Sequence, residues 1–572
     1  MSWYDEAVFY HIYPLGLTGA PKQNDYGEPV HRLKTIVPWI GHMRELGCSA
    51  LYIGPLFESV GHGYETTDYR KLDSRLGTNE DLKDFVAECH RQGIRVILDG
   101  VFNHVGRDFF AFRDLKENRE NSPYRDWFCN VNFWGNNEYN DGFSYDNWGG
   151  YNLLVKLNQR NGEVQDYLCD SIRMWVSEFD IDGLRLDAAD VLDFGFMQTL
   201  RRLADEVKPD FWLMGEVIHG DYTRWVGPTM LHSVTDYNLH KALYSGHNDH
   251  NYFEIAHTVK RLYDMGLNRP GGSKLYSFAD NHDVERIYTR LSDKANFMPL
   301  HILLFTLPGI PSIYYGSEFG IEGRKESWSD DSLRPALSLE DFKNALKDNP
   351  YTKLIAALGH LHLRTPALQD GDYRELSLTT KQYAFARSKD GCDIIIAVNN
   401  DGEPAEIRVP ALGHERFVGA LSGQKIRAEG DTLTFTVPAN LGEIWVPEES
   451  YVKEGKPVFK AIPAAVKNPA KRDAAGAAAR RTAGAPDAGK TAGSADAGKT
   501  AGAPEAGKTA GADIKKPVPV PEGKSYEEMT VEELQSVILG KMEKNGPVTD
   551  QMRRDVENNI WHDSLVNWAR SF

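Results

Sequence analysis

Between residues 8 and about 320 the chain alternates short apolar runs with amphipathic helical stretches, and this alternation restricts the fold more than any other feature. Leu33, Ile36, Val37, Ile40 and Met43 share one face of a helix expected over 31–46, which Gly47 stops and the strand-like run 50–55 follows. The next helix starts near Asn79, aligns Leu82, Phe85, Val86 and Cys89, and gives way at Gly93 to the apolar run 94–98. A third aligns Val164, Leu168, Ile172, Trp175 and Phe179 before a strand at 183–187, and a fourth aligns Phe196, Leu200, Leu203 and Val207 before one at 211–215. Such spacing is the helical period, and a glycine past the last turn is the usual stop. Repeated strand–helix–strand units predict a parallel sheet with right-handed crossovers, and a series of this length suits an eight-stranded barrel. A doubly wound sheet is the alternative, but no GxGxxG or Walker sequence follows the early strands.

The rest of the chain changes texture three times. A polar, aromatic-rich stretch at about 105–160 breaks the alternation and reads as a subdomain inserted after the third strand. Its Trp134, Tyr139, Phe143, Tyr145 and Trp148 read either as sugar platforms or as the subdomain's own core. Over 362–450 short alternating strands are separated by Asp-Gly and Gly-rich turns, the pattern of an antiparallel β-sandwich. Residues 451–524 are rich in Ala, Gly, Pro and Lys, with AGKTAG at 488, 497 and 506, and offer almost nothing bulky to bury, so a flexible linker is expected. Over 453–516 this linker carries thirteen Lys/Arg against six Asp/Glu and reads as a solvated spacer rather than a tether for anions. Residues 525–572 regain a helical pattern, with Thr530 and Glu533 as a capping box, Val531, Leu534, Val537, Ile538 and Met542 on one side, and a second helix near Thr549. The predicted architecture is α/β: a (β/α)8 TIM barrel over 1–361 with its insertion, a C-terminal β-sandwich over 362–450, a linker over 451–524 and a small helical module over 525–572.

Composition limits what such a chain does. Among 572 residues, 65 Lys+Arg against 82 Asp+Glu leave a net charge of −17, which disfavours nucleic acid as a partner. No apolar run reaches the length of a membrane helix, and the first residues show no secretory pattern. Five scattered cysteines without a CxxC pair argue against disulfides and thiolate metal sites, so a reducing cytoplasm is expected.

In a barrel the C-terminal ends of the strands face the site, so polar clusters that close apolar strands are functional hints. DGVFNH supplies Asp99, Asn103 and His104; GLRLD supplies Arg185 and Asp187; FWLMGE ends in Glu216; and FADNHD supplies Asn281, His282 and Asp283. Asp187 and Glu216 lie 29 residues apart, one strand–helix repeat, which fits neighbouring strands. Several carboxylates at one mouth force one to hold its proton while another stays ionised. Arg185, two residues before Asp187 on the same side of a strand, is expected to keep Asp187 ionised, and Glu216, after apolar Leu213 and Met214, is expected to carry the raised pKa. A nucleophile, a protonated acid, a third carboxylate and two histidines describe a retaining glycosidase site.

DGVFNH, GLRLDAADV, GEVIHG and FADNHD resemble the four ordered signature segments of the α-amylase superfamily, glycoside hydrolase family 13. HGYETTDYRKLDSRLGT (62–78), LLVKLN (153–158) and GIPSIYYGSEFGIEG (309–323) extend the likeness over residues 1 to about 450, nearest in motif to the neopullulanase and cyclomaltodextrinase branch but without that branch's N-terminal domain. The resemblance implies a hydrolase of α-1,4 glucosidic bonds, with α-1,6 bonds left open, in maltooligosaccharides, cyclomaltodextrins or related dextrins. It implies Asp187 as nucleophile, Glu216 as general acid and then base, and Asp283 as the carboxylate holding hydroxyls of the distorted ring. Tyr64 would stack on that ring; His62, His104 and His282 would bind substrate, Arg185 would orient Asp187, and Asp99 would brace the site. Departures are AAD at 188–190, which lacks the Lys-His pair of true α-amylases, and calcium, for which Asn103 is the single matching ligand; no cofactor and no metal site are expected. The competing functions are a transglycosylase or a sucrose- or trehalose-active enzyme of the same superfamily, and a non-catalytic glucan-binding scaffold. The expected partner is an α-glucan oligosaccharide, with self-association or a protein partner through the C-terminal helices.

Overall fold

The computed structural model describes residues 2–326, 329–452 and 529–545, together with Val556 and Ala569. Eight parallel strands form one sheet: β1 (Phe9–Ile12), β2 (Ala50–Ile53), β3 (Arg95–Gly100), β4 (Gly183–Leu186), β5 (Trp212–Gly215), β6 (Ser233–Val234), β7 (Tyr276–Phe278) and β8 (Ile310–Tyr314). Each of β1 to β5 pairs with its successor, β7 pairs with β8, and β8 returns to β1. The gap between β6 and β7 is bridged in parallel from Thr235 to Tyr276, where the Asp236 N–H donates to the Tyr276 carbonyl at 2.8 Å. The sheet closes on itself as the expected (β/α)8 barrel, with no edge left to pair.

Strand alternation divides the apolar side chains into two layers. Phe9, Tyr52, Ile97, Trp212, Met214, Tyr276 and Ile310 cluster inside the barrel, and Trp3 and Tyr4 pack on that cluster. The opposite strand faces, with Tyr10, Leu51, Leu98, Leu184 and Leu213, meet Phe85, Trp175 and Leu200 of the surrounding helices. Those helices start at caps the sequence supplies: Thr78 before Asn79–Arg91, Asn161 before Gly162–Phe179 and Asp193 before Phe194–Val207. The helix expected over 31–46 is instead a 3-10 turn, Arg32–Ile36, followed by an α-helix, Val37–Glu45. Pro38 explains the break, because it lacks an N–H and its ring clashes with the carbonyl four residues earlier.

The insertion after β3 is a three-stranded antiparallel sheet in which Tyr151–Lys156 pairs with His104–Gly106 on one side and Asn147–Trp148 on the other, beside the helix Phe110–Asn118. Its aromatic residues divide by burial. Phe143 and Tyr145 pack on Phe112 as core, whereas Trp134 is 99% and Tyr139 46% exposed.

The C-terminal strands begin at Asp372 rather than 362, because the helices Pro350–Arg364 and Pro366–Asp370 come first. A six-stranded antiparallel sheet faces the two-stranded sheet Ala405–Pro410 and Thr432–Val437 across a core of Ile395, Ile407, Phe417, Leu433, Phe435 and Trp445. Its other face packs Tyr383, Phe385, Ile396 and Ile444 towards Phe297–Thr306, a helix whose ten residues are all buried. That burial is why this helix is apolar all round.

The chain divides into two compact units, Met1–Ala474 and Ala475–Phe572. In the second, the Thr530 N–H donates to Glu533 and the Glu533 N–H returns a bond to Thr530 at the start of the helix Val531–Asn545. Leu534, Val537 and Ile538 bury themselves with Val556 and Ala569. The AGKTAG repeats and the helix start expected near Thr549 lie outside the described residues. Among the described residues no helix is long and apolar enough to cross a membrane.

Candidate active site

Four strand ends converge at one mouth of the barrel. Asp99 and Arg185 sit on β3 and β4, Asp187 and Glu216 follow β4 and β5, and His282 and Asp283 follow β7. The backbone turns sharply after Asp187: Ala188 has φ 45° and ψ 46°, a left-handed conformation that an alanine adopts only under constraint. Its N–H donates to Glu216 Oε2 at 3.2 Å, and the Ala189 N–H donates to the Glu216 carbonyl at 2.9 Å. Gly215 makes room for this turn, since a Cβ there would stand 2.8 Å from that of Ala189.

The side chains form a closed circuit. Arg185 donates to Asp99 Oδ1 at 2.9 Å and Asp187 Oδ1 at 2.8 Å, and its other terminal nitrogen meets Glu216 Oε2 at 2.7 Å. Glu216 Oε1 accepts from the Tyr237 hydroxyl at 3.2 Å, and that hydroxyl accepts from Asn281 at 3.1 Å. The Asn281 amide oxygen accepts the Asp283 N–H at 2.8 Å, and Asp283 Oδ2 lies 3.0 Å from His282 Nε2. His282 bonds the Tyr64 hydroxyl, which reaches Asp99 Oδ2 at 3.3 Å and returns the chain to Arg185. The Tyr64 ring lies within 12° of parallel to that of His282 at 5.8 Å. His104 is fully buried, and His62 sits further out, with a 47% exposed side chain 3.1 Å from Glu65.

Electrostatics follow from one guanidinium serving three buried carboxylates. Burial pushes the Asp187 carboxyl well above the usual carboxylate range; Arg185 opposes this, and the Glu216 and Asp99 charges reinforce it. Arg185, from which the sequence leads one to expect an ionised Asp187, is divided among three carboxylates and offsets part of that desolvation. Burial also acts upward on Asp283, but His282, Arg334 and Arg185 outweigh it and hold this carboxyl well below its ordinary range. Asp190, desolvated and near Glu216, is pushed up to about 7. Burial takes His104 down to about 3, so its ring is neutral near pH 7. His104 Nε2 and His282 Nδ1 are buried with no hydrogen-bond partner, and sugar hydroxyls can supply what both atoms lack.

Several contributors escape sequence reasoning. Arg334 donates to Asp283 Oδ1 at 2.8 Å and to the His282 carbonyl at 3.0 Å, and Lys325 donates to the Asp283 carbonyl at 2.7 Å. Both come from the segment after β8, outside the recognised segments. Tyr52, which donates to Asp99 at 2.8 Å, lies within an apolar strand that carries no polar signal at its end. A calcium ion takes six to eight oxygen ligands. Asn103 Oδ1 is buried and unpartnered, and among the described residues no group of three His, Cys, Asp or Glu side chains is placed to hold a metal ion.

Comparison with known proteins agrees with this geometry. Residues 23–368 match the alpha-amylase catalytic domain, and residues 374–440 match the maltogenic amylase C-terminal domain. A cyclomaltodextrinase of Bacillus sp is 30% identical over 424 residues, 70% of this chain and 74% of its own. Neopullulanase 2 of Thermoactinomyces vulgaris is 30% identical over 475 residues, 77% of this chain and 78% of its own. Among solved structures, a cyclomaltodextrinase superposes with a TM-score of 0.69 at 26% identity, covering 77% of this chain and 78% of that one. The debranching enzyme of Nostoc punctiforme gives 0.67 at 28% identity, covering 78% and 98%. A closed barrel, four strand-end segments on one hydrogen-bonded circuit and these matches together place the chain in the α-amylase family of glycoside hydrolases.

Proposed function

We propose that this glycoside hydrolase cleaves α-glucosidic bonds of maltooligosaccharides, cyclomaltodextrins and related dextrins with retention of configuration. The observation that carries the reading is the pair Asp187 and Glu216 on the two terminal nitrogens of one guanidinium, with Asp283 on the same circuit. An Asp187 carboxylate oxygen attacks the anomeric carbon while Glu216 gives its proton to the departing glycosidic oxygen, so one C–O bond forms as the other breaks. Glu216 then takes a proton from water, which displaces Asp187 and regenerates both groups. Asp283, held ionised, accepts hydroxyl hydrogens of the distorted ring; Tyr64 stacks on that ring, and His62, His104 and His282 bind its hydroxyls. Asp99 braces Arg185 from β3. No cofactor takes part in these steps. The names cyclomaltodextrinase and neopullulanase support cyclomaltodextrins and related dextrins as substrates. Five free cysteines, three of them buried, support a reducing cytoplasm as the working compartment. Residues 525–572 are read as a self-association or partner-docking module.

Incubation with maltoheptaose, β-cyclodextrin and pullulan, followed by chromatography, is expected to give smaller maltooligosaccharides, and proton NMR of the first product is expected to show the α anomer. Asp187→Ala and Glu216→Gln each lower kcat by at least about 10³-fold with an unchanged melting temperature. No turnover across the panel, or a β product, defeats the proposal.

A further inference from the structure

Strand β1 delivers to the barrel mouth a histidine that the hydrolytic reading does not use. Alternation turns Phe9 and His11 towards the barrel interior, with His11 the nearer of the two to the C-terminal end of the strand. His11 is buried and stands opposite Tyr52 of β2 and Tyr314 of β8. Its ring stacks on Tyr52 at 4.2 Å and 19°, meets His282 edge-on at 5.1 Å and 87°, and lies 4.8 Å from the Tyr314 ring. The His11 Nε2 is buried without a hydrogen-bond partner, so these ring contacts are what place the side chain.

The two rings that His11 touches belong to different arcs of the circuit. Tyr52 donates to Asp99 Oδ2 at 2.8 Å, and Asp99 accepts from Arg185 at 2.9 Å. His282 Nε2 lies 3.0 Å from Asp283 Oδ2 and bonds the Tyr64 hydroxyl. One imidazole thus packs against both arcs, and a change in its plane moves Tyr52 and His282 together. Burial holds the His11 pKa well below its ordinary value; His282, Arg185 and Arg286 act in the same direction, and Asp283 opposes them. Near neutrality the ring is therefore uncharged and carries no proton for a leaving group. We infer that His11 is a positioning residue: its ring fixes the planes of Tyr52 and His282, and through them the directions in which Asp99 and Asp283 present their oxygens. The effect on rate rests on the hydrolytic reading and deepens it, because misplacing a group by about 1 Å costs about 10²-fold.

The test uses two variants of the full chain, assayed well below the melting temperature of each. His11→Leu roughly keeps the buried volume and removes the flat ring. It is expected to lower kcat for maltoheptaose about tenfold with KM within about twofold of the parent, and His11→Phe, which returns a flat ring, is expected to recover part of that loss. An unchanged kcat in His11→Leu, a loss confined to KM, or a His11→Phe variant no better than His11→Leu overturns the role. A second readout does not depend on turnover. His282 is the first of the groups that lower the Asp283 pKa, so in His11→Leu carbon NMR is expected to show the Asp283 carboxyl titrating about one pH unit above the parent. That shift supports the positioning role even where no substrate of the panel is hydrolysed, and an unmoved titration overturns it.

Discussion

Arg334 shows how much one side chain from a distant segment contributes to this site. Its guanidinium meets Asp283 at 2.8 Å and Asp330 at 3.2 Å and lies 4.6 Å from the centre of the Tyr13 ring. Arg334 stands with His282, Arg185 and Lys325 among the positive or protonatable groups facing Asp283, against Tyr64 from a loop and Tyr237 from the start of a helix. Arg334→Gln leaves Asp283 as buried as before but removes one of the charges that hold it ionised, so its pKa rises. The Asp283 carboxyl then titrates about one to three pH units higher than in the parent. Arg334→Lys restores part of the difference. Carbon NMR of the Asp283 carboxyl over a pH series checks this for each variant, and an unmoved titration would show that Arg334 acts by packing alone. Such a contact is invisible to local pattern: Asp283 lies in a recognisable segment, whereas Arg334 is 51 residues away with no motif around it. The polar strand ends were legible for the same reason inverted, because Asp99, Arg185 and Glu216 interrupt apolar runs. How one cation would be shared among them was not, since that depends on geometry across three strands.

At the scale of strands and helices, the end of the barrel opposite the site carries its own ion network. Asp182, 1% exposed just before β4, meets His90 at 2.7 Å, Arg95 at 2.8 Å and Lys208 at 3.0 Å, and accepts the Val96 N–H at 2.9 Å. These contacts tie helix Asn79–Arg91 and the segment before β5 to the start of β3. Burial raises the Asp182 pKa, but His90, the Val96 amide and Lys208 outweigh it and bring it down to about 2. A depressed carboxylate adds stability that is complete above its unfolded pKa of about 3.9 and is lost as pH falls toward its folded value. Asp182→Asn is expected to cost about 3 kcal/mol near pH 7, the low end for breaking a buried pair, because Arg95 and Lys208 reach solvent. Thermal melts at pH 7 and pH 3 test this, with the gap between variant and parent narrowing at the lower pH. Helix faces were readable at this scale because burial follows the 3.6-residue period: Leu168, Ile172, Trp175 and Phe179 are all buried as their spacing predicts. The two-residue strand β6 was not readable, because register and closure come from its neighbours rather than from its own side chains.

For the whole molecule, the parts differ in how they are stabilised. The sandwich shares the main apolar layer with the barrel, and Arg387 donates to the Thr306 carbonyl at 2.8 Å, so the two are expected to unfold together. The C-terminal segment has fewer than about 50 residues, too few for a secure core of its own. Deleting residues 525–572 is expected to lower the apparent mass on sizing chromatography by more than the segment's own mass, at an unchanged rate per barrel; a loss equal to the segment alone would show that it does not assemble. The sharing of Arg185 among Asp99, Asp187 and Glu216 reaches beyond catalysis. A cavity so rich in carboxylate oxygen, on a chain of net charge −17, repels any sugar that arrives with its own negative charge. Phosphorylated or oxidised glucose units are therefore expected to bind more weakly than uncharged glucan, which calorimetry with maltose and a maltose phosphate checks.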